Sequence, residues 1–361
     1  MSNNSFGCRG TKDRVGILVA QLGTPDAPTP QALYKYLKQF LGDPRIIEVN
    51  RLLWWVILNG FILRTRPKRS ARLYARIWTP EGSPLLKITE RQTKSLAEHC
   101  RELGDDVVVT FGMRYGSPSL ESAIDSLLAQ GCARILLVPM FPQYSATTTG
   151  SVYDAVFKHL LKRRSVPALR VLAPYYRDRR YIDALSATLN DGLRALPFVP
   201  ERLVLSYHGI PIKYVDKGDP YCCMCMETTE AFRPKVNFEN DKIIHTYQSR
   251  FGKDPWLQPY TDKTIEALAQ QGIKRIAVAC PGFTADCLET LDEIGNEASE
   301  LFHHLGGEEL RLIPSVNDQP VFIDALYQIV KEELFGWLSP RNACQAMCSQ
   351  CPIPKEIDRG K

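Results

Sequence analysis

One apolar run of this chain, Leu203-Val204-Leu205-Ser206, closes on Tyr207-His208-Gly209. A second, Ile276-Ala277-Val278-Ala279-Cys280, opens onto Pro281-Gly282-Phe283-Thr284-Ala285-Asp286-Cys287-Leu288-Glu289-Thr290. The first run thus delivers an imidazole and the second delivers carboxylates. A neutral imidazole facing carboxylates suits proton transfer, placement of a divalent metal, or both. The acids continue at Glu293 and Glu297, so an α-helix starting near Asp286 would carry Glu289, Glu293 and Glu297 as a stripe on one face. Like charges at that spacing repel by roughly 0.3 kcal/mol per pair in an isolated helix. A solvated surface helix shows the same stripe, and Asp286 could be a simple N-cap with Glu289 completing a capping box. Leu288, Leu291 and Ile294, however, give that helix an apolar side suited to packing on a sheet.

The elements that must position these groups follow from alternating strand-like and helix-like segments. Val15 to Ala20 reads as a first strand, ended by Gly23-Thr24-Pro25. Further strands are expected from Val107, over Ile135 to Met140, over Leu169 to Leu172, and at the two runs above. Helical patterns cover Ser119 to Gln130, Gly150 to Lys162, a segment from Tyr181, Asp262 to Gln271, and Val321 to Trp337. Such alternation predicts an α/β protein with parallel sheets, and ligands bind beyond the carboxyl ends of such strands. We read two similarly built halves, residues 13–177 and 178–338, after a lead-in over residues 1–12 and before a Cys-rich extension over 339–361. No Gly-x-Gly-x-x-Gly follows the first strand, which argues against a dinucleotide enzyme.

The ordered motifs resemble the ferrochelatase family, whose members insert ferrous iron into a porphyrin. They run over residues 13 to 320 and include Leu22-Gly23-Thr24-Pro25, Gln39-Phe40-Leu41, Gly82-Ser83-Pro84-Leu85 and Met113-Arg114-Tyr115-Gly116. Pro142-Gln143-Tyr144-Ser145, Ser206-Tyr207-His208-Gly209, Gln248-Ser249-Arg250-Phe251-Gly252, Trp256-Leu257 and Pro281 to Thr290 complete the set. The resemblance implies two Rossmann-like, chelatase-type halves, each a parallel sheet flanked by helices, with the active-site cleft between them. It makes His208 and Glu289 the central catalytic pair, with Asp286, Glu293 and Glu297 on a metal or proton path. For a porphyrin substrate, His208 is the expected acceptor of pyrrole protons, and the acids act from the opposite side. Metal insertion also needs the lone pairs of a flat ring exposed, a strain that remote ring contacts can offset.

Other pocket candidates follow strand ends. Arg114 could pair with a propionate or form a surface salt bridge; Tyr115 and Ser145 approach the same edge. Tyr144 could stack near the ring or pack the core. Arg76, in Tyr74-Ala75-Arg76-Ile77, resembles a motif on the family's propionate side, and Trp256 could serve core or site. Cys287 stands where animal members carry His; it could meet metal as a thiolate or be a small buried thiol.

Leu52-Leu53-Trp54-Trp55-Val56-Ile57-Leu58-Asn59-Gly60-Phe61-Ile62-Leu63 is apolar and flanked by Arg51, Arg64, Arg66, Lys68 and Arg69. A bilayer crossing needs about 20 apolar residues, so this stretch is too short. It could be a buried helix, or a lip at about 51–63 over an apolar cavity, touching a membrane surface with Leu53 and Trp54 near the porphyrin. A net charge of +5 shows no nucleic-acid footprint, and a hydrophobic share of 44% is ordinary for a globular chain. Residues 1–12 are polar with no secretory pattern, so the expectation is a cytoplasmic chain that could associate with the inner membrane face.

Eleven cysteines without such a pattern point to thiols or metal ligands in a reducing compartment. Cys344-x-x-x-Cys348-x-x-Cys351 suggests thiolate ligation of an iron–sulfur cluster or zinc. Some ferrochelatases hold a [2Fe–2S] cluster with a C-terminal trio and one distant cysteine. Ala146 stands where the animal pattern has that fourth ligand, so Cys222, Cys223 or Cys225 would supply it. Unmetallated cysteine-rich loops are the plainer reading. Such a stapled tail could support a homodimer. Within the family reading the substrates are protoporphyrin IX and Fe2+. Coproporphyrin or cobalt would change only the substrate, and a non-catalytic haem or iron–sulfur binding module on the same fold stands further off.

Overall fold

The computed structural model describes residues 14–252 and 254–338. Its first half contains β1 (Arg14–Gly23), α1 (Pro30–Gly42), α2 (Arg51–Ile57), α3 (Leu63–Ile77) and α4 (Pro84–Cys100). It continues with β2 (Val107–Tyr115), α5 (Leu120–Ala129), β3 (Cys132–Pro139), α6 (Ser151–Leu160) and β4 (Ala168–Val171). The second half contains α7 (Arg179–Ala195), β5 (Arg202–His208), α8 (Ile212–Asp216), α9 (Tyr221–Phe232), β6 (Ile243–Gln248) and α10 (Thr261–Gln270). There follow β7 (Arg275–Ala279), α11 (Leu288–Leu291), α12 (Ser299–His304), β8 (Glu309–Ile313) and α13 (Pro320–Glu333).

The strands form two four-stranded parallel sheets, β2-β1-β3-β4 and β6-β5-β7-β8. Their spatial orders are the same, so the α/β reading in two similarly built halves holds. The central strands are near-continuous apolar runs because helices cover both faces; Leu203, Val204 and Leu205 are all fully buried. One core cluster joins Val15, Ile17 and Leu136 of the first sheet to Leu203, Ala277 and Val330 of the second half. The sheets therefore share a core that fixes their strand ends relative to each other. At the end of β1, Gly23 has φ 112°, and a Cβ there would lie 1.8 Å from the Tyr115 carbonyl oxygen, so only glycine lets β1 and β2 finish this close.

Two segments differ from the sequence reading. The acid stretch is not one α-helix: α11 spans four residues and gives way to a π-helical turn, Glu293–Ala298. There the Glu297 N–H reaches back five residues to the Asp292 carbonyl at 2.8 Å. The wider turn breaks the four-residue stripe, leaving Glu293 half-buried and Glu297 exposed. The apolar stretch from Leu52 to Leu63 is the first part of a longer helical segment, because α2, a π-helical turn at Leu58–Ile62 and the basic α3 run on without interruption. Leu58 and Leu63 anchor it in the core, while Leu52, Leu53, Trp55 and Phe61 are exposed. Among the described residues, no helix is long and apolar enough to cross a membrane.

Candidate active site

His208 ends β5, half-buried, and its neighbour in register on β6 is Gln248. His208 Nδ1 lies 2.7 Å from the carbonyl oxygen of Gly209. A carbonyl can only accept, so Nδ1 carries the proton and the Nε2 lone pair is left for chemistry. The following loop is held closely: the Gly209 N–H donates to the Gln248 carbonyl at 2.8 Å, and a Cβ on Gly209 would meet the Trp256 ring at 3.2 Å. Trp256 is itself buried and donates to the Phe251 carbonyl at 3.0 Å, so it braces the loop behind the imidazole.

Glu289 lies in the single turn of α11, half-buried. Its backbone carbonyl accepts from Gln248 Nε2 at 2.7 Å. Its neighbour Leu288 packs against the aromatic cluster of α1 and α3, where burial pushes the phenols of Tyr36 and Tyr74 up and the Glu289 charge adds to it. Glu293 accepts from Ser249 Oγ and, at 3.4 Å, from Gln248 Nε2. Burial and the neighbouring Glu289 raise its pKa to about 8, although both hydrogen bonds pull it down. Glu293 and Glu297 line a cavity of about 1040 Å³ with Gln248, Ser249, Arg66 and Arg69. His208 and Glu289 are not part of that lining, but Gln248 ties both to it.

The other expected residues distribute differently. Asp286 is buried and does not cap the helix: Thr290 and Ser315 bond its Oδ1 at 2.9 and 3.3 Å, and Asn317 bonds Oδ2 at 2.7 Å. Cys287 is the N-cap, in a capping box with Thr290. Burial, then the Glu289 charge, drives its thiol well up, so it is a neutral buried thiol and not a thiolate. Arg114 and Tyr115 converge on Asp43. Tyr115 is fully buried and donates to Asp43 at 2.8 Å, while Arg114 pairs with Asp43 and donates to Ser151 Oγ at 2.6 Å. Ser145 is buried against Asp219 at 2.9 Å. Arg76 pairs with Asp292 and Glu300, both at 2.9 Å, tying α3 to the acid segment. Tyr144 is half-buried, its ring 6.4 Å from that of Tyr153. Trp54 donates to the Leu41 carbonyl at 2.7 Å, and Leu53 faces outward.

Sequence reasoning quoted Gln248 only within a motif and gave it no place in the site, because β6, Ile-Ile-His-Thr-Tyr-Gln, was not read as a strand; its β-branched and aromatic content is the signal. It also missed Asp43, whose partners come from distant segments. Burial alone would raise the Asp43 pKa, but bonds from Ser151, the Arg45 N–H and Tyr115, with the Arg114 charge, outweigh it and lower it. Asp43→Ala leaves the half-buried Arg114 guanidinium without its counter-charge and the buried Tyr115 and Ser151 hydroxyls without their acceptor, so it should destabilise the fold by about 3 kcal/mol in urea unfolding. A loss below about 1 kcal/mol would show these groups rehydrated.

Comparison with known proteins agrees with this frame. The ferrochelatase family model matches residues 14–334. A ferrochelatase of Nitrobacter hamburgensis is 51% identical over 330 residues, 91% of this chain and 95% of its own. One of Bradyrhizobium diazoefficiens is 51% identical over 327 residues, 90% and 94% of the two chains. Among solved structures, SirB from Bacillus subtilis with Fe3+ matches with a TM-score of 0.50 at 18% identity, over 70% of this chain and 91% of that one, a likeness of fold alone. With two like-ordered parallel sheets and a match along nearly every described element, the chain belongs to the ferrochelatase family.

Proposed function

We propose that this protein inserts Fe2+ into protoporphyrin IX to form protohaem. The observation that carries the reading is the meeting of His208, Glu289 and Glu293 around Gln248, in a chain of this family. Charge balance sets the chemistry. A divalent ion replaces two pyrrole N–H protons, so the site must accept two protons while it strips water from iron. His208 Nε2 is the acceptor on one side of the ring. Glu289, Glu293 and Glu297 guide the cation or carry protons on the other. Anaerobic incubation with Fe2+ and protoporphyrin should shift the porphyrin absorbance to that of haem. Coproporphyrin and Co2+, run as competitors, decide the substrate. A porphyrin complex with no insertion would leave only a binding module.

The exposed lip suits delivery of a greasy planar ring from a membrane surface, with Arg51, Arg64 and Lys68 toward anionic headgroups. Leu52→Ser, Trp55→Ser and Phe61→Ser together should cut flotation with anionic vesicles at least fivefold without unfolding the chain. Unchanged flotation would discard membrane docking through this face.

A [2Fe–2S] cluster is part of the same proposal. Cys344, Cys348 and Cys351 lie outside the described residues, so only the fourth ligand bears on this structure. Cys225 is fully buried, and burial drives its thiol well up, which suits a core residue. Cys223 is exposed and Cys222 half-buried, 3.6 Å from the Tyr247 hydroxyl, so one of these two would close the ligand set. The cluster would brace α9 against the His208 wall; insertion itself changes no oxidation state. The purified protein should be brown with two irons and two acid-labile sulfides per chain, as the cluster formula requires. A colourless, iron-free sample would remove the cluster.

A further inference from the structure

Gln248 is 7% exposed, and every polar atom of its side chain is used. Nε2 donates to the Glu289 carbonyl at 2.7 Å and to Glu293 Oε2 at 3.4 Å. Oε1 accepts from Ser206 Oγ at 2.6 Å and from Cys280 Sγ at 3.6 Å. Its backbone carbonyl accepts the Gly209 N–H at 2.8 Å, and the Gly209 carbonyl in turn takes the proton on His208 Nδ1. One residue thus touches both ends of the expected chemistry, through its main chain on the imidazole side and its side chain on the acid side.

The direction of these bonds matters. The carboxamide must present its nitrogen to two acceptors and its oxygen to two donors, so it is locked against a flip. A file of buried hydroxyls holds it from behind: Ser206 Oγ lies 2.8 Å from Thr261 Oγ1, which lies 2.8 Å from Thr246 Oγ1, and Thr246 donates to the Leu205 carbonyl at 3.0 Å. All three hydroxyl residues are buried, so no water competes for these bonds. Four parallel bonds in a low-dielectric interior define a position far better than one. The acid segment needs such a tie, because α11 is a single turn followed by a π-helical turn and cannot set the Glu289 position by its own length.

The geometry points to Gln248 as the positioning residue of the metal-insertion site, setting the separation between the His208 imidazole and the Glu289 and Glu293 carboxylates. This rests on the reading of those residues given above. It predicts a change in turnover and not in ring binding, because Gln248 holds the reacting groups without providing the lip. A misplacement of about 1 Å can cost on the order of 100-fold in rate.

Two variants separate the donor from the space it fills. Gln248→Met keeps the volume and removes all side-chain hydrogen bonds. Gln248→Glu keeps the shape and replaces the donor with an acceptor facing two other acceptors. Both should lower kcat for Fe2+ insertion 10- to 100-fold, with KM for protoporphyrin within twofold. Ser206→Ala, a milder change that frees only the back of the carboxamide, should lower kcat about threefold in the same pattern, and it decides the matter if the Gln248 variants do not fold. Turnover within twofold of the parent in the folded variants overturns the inference, as does a loss carried by KM instead. His208→Ala and Glu289→Gln are measured alongside. If these keep activity, the site reading itself fails. If they are inactive while Gln248→Met is not, only the positioning role falls.

Discussion

His208→Ala should lower iron insertion by about 1000-fold, equivalent to about 4 kcal/mol of transition-state stabilisation, while protoporphyrin still binds. The imidazole Nδ1 is committed to the Gly209 carbonyl, so Nε2 is the atom available to take a proton, and alanine removes it. The porphyrin contacts are expected from the cavity wall and the lip, which the substitution leaves intact. Binding followed by fluorescence quenching should therefore move less than threefold, while the absorbance assay for haem falls to background. Retained turnover would take His208 out of the reaction. A loss of both binding and turnover would make it a structural residue, and the Gly209 loop would be the place to look for the collapse.

Much of the site was legible because strand ends are legible. Apolar runs such as Leu203 to Ser206 must be buried strands in an alternating chain, and a polar residue directly after one lies at the edge where ligands bind. His208 and Glu289 became candidates that way. Asp43, Arg114 and Tyr115 show where the method stops. Arg114 and Tyr115 also follow a strand, yet the partner that captures them, Asp43, lies 71 residues from Arg114 at the end of α1. Nothing local in Gly42-Asp43-Pro44 announces a buried carboxylate. The partners of Arg76 were equally hidden, since Asp292 and Glu300 reach it only from the other half of the chain. The π-helical turn at Glu293 is invisible for another reason: a spacing of four fits an α-helix, and only the Asp292 carbonyl bond to Glu297 reveals the extra residue.

Glu289→Gln should lower turnover by about 100-fold or more and should also move the pH dependence of what remains. Burial, the larger cause, and the charge on Glu289, the second, hold the Glu293 pKa at about 8. Near neutral pH Glu293 is therefore mostly protonated, and a step that needs its carboxylate gains rate as pH rises through that value. Removing the Glu289 charge takes away one of the two upward pushes. The Glu293 pKa must then fall, so the rising limb of kcat/KM should shift to lower pH, though burial keeps it above the ordinary carboxylate range. An unmoved or raised limb, measured on parent and variant in the same buffers, would mean that the two carboxyls do not sense each other. The coupling has a consequence for the parent reaction. Glu293, buried and beside the Glu289 charge, resists ionisation until a dication arrives, so under the proposed function uptake of Fe2+ and departure of the Glu293 proton become one linked event. An acid that holds its proton until metal is present suits a site that must take up a cation and dispose of protons together.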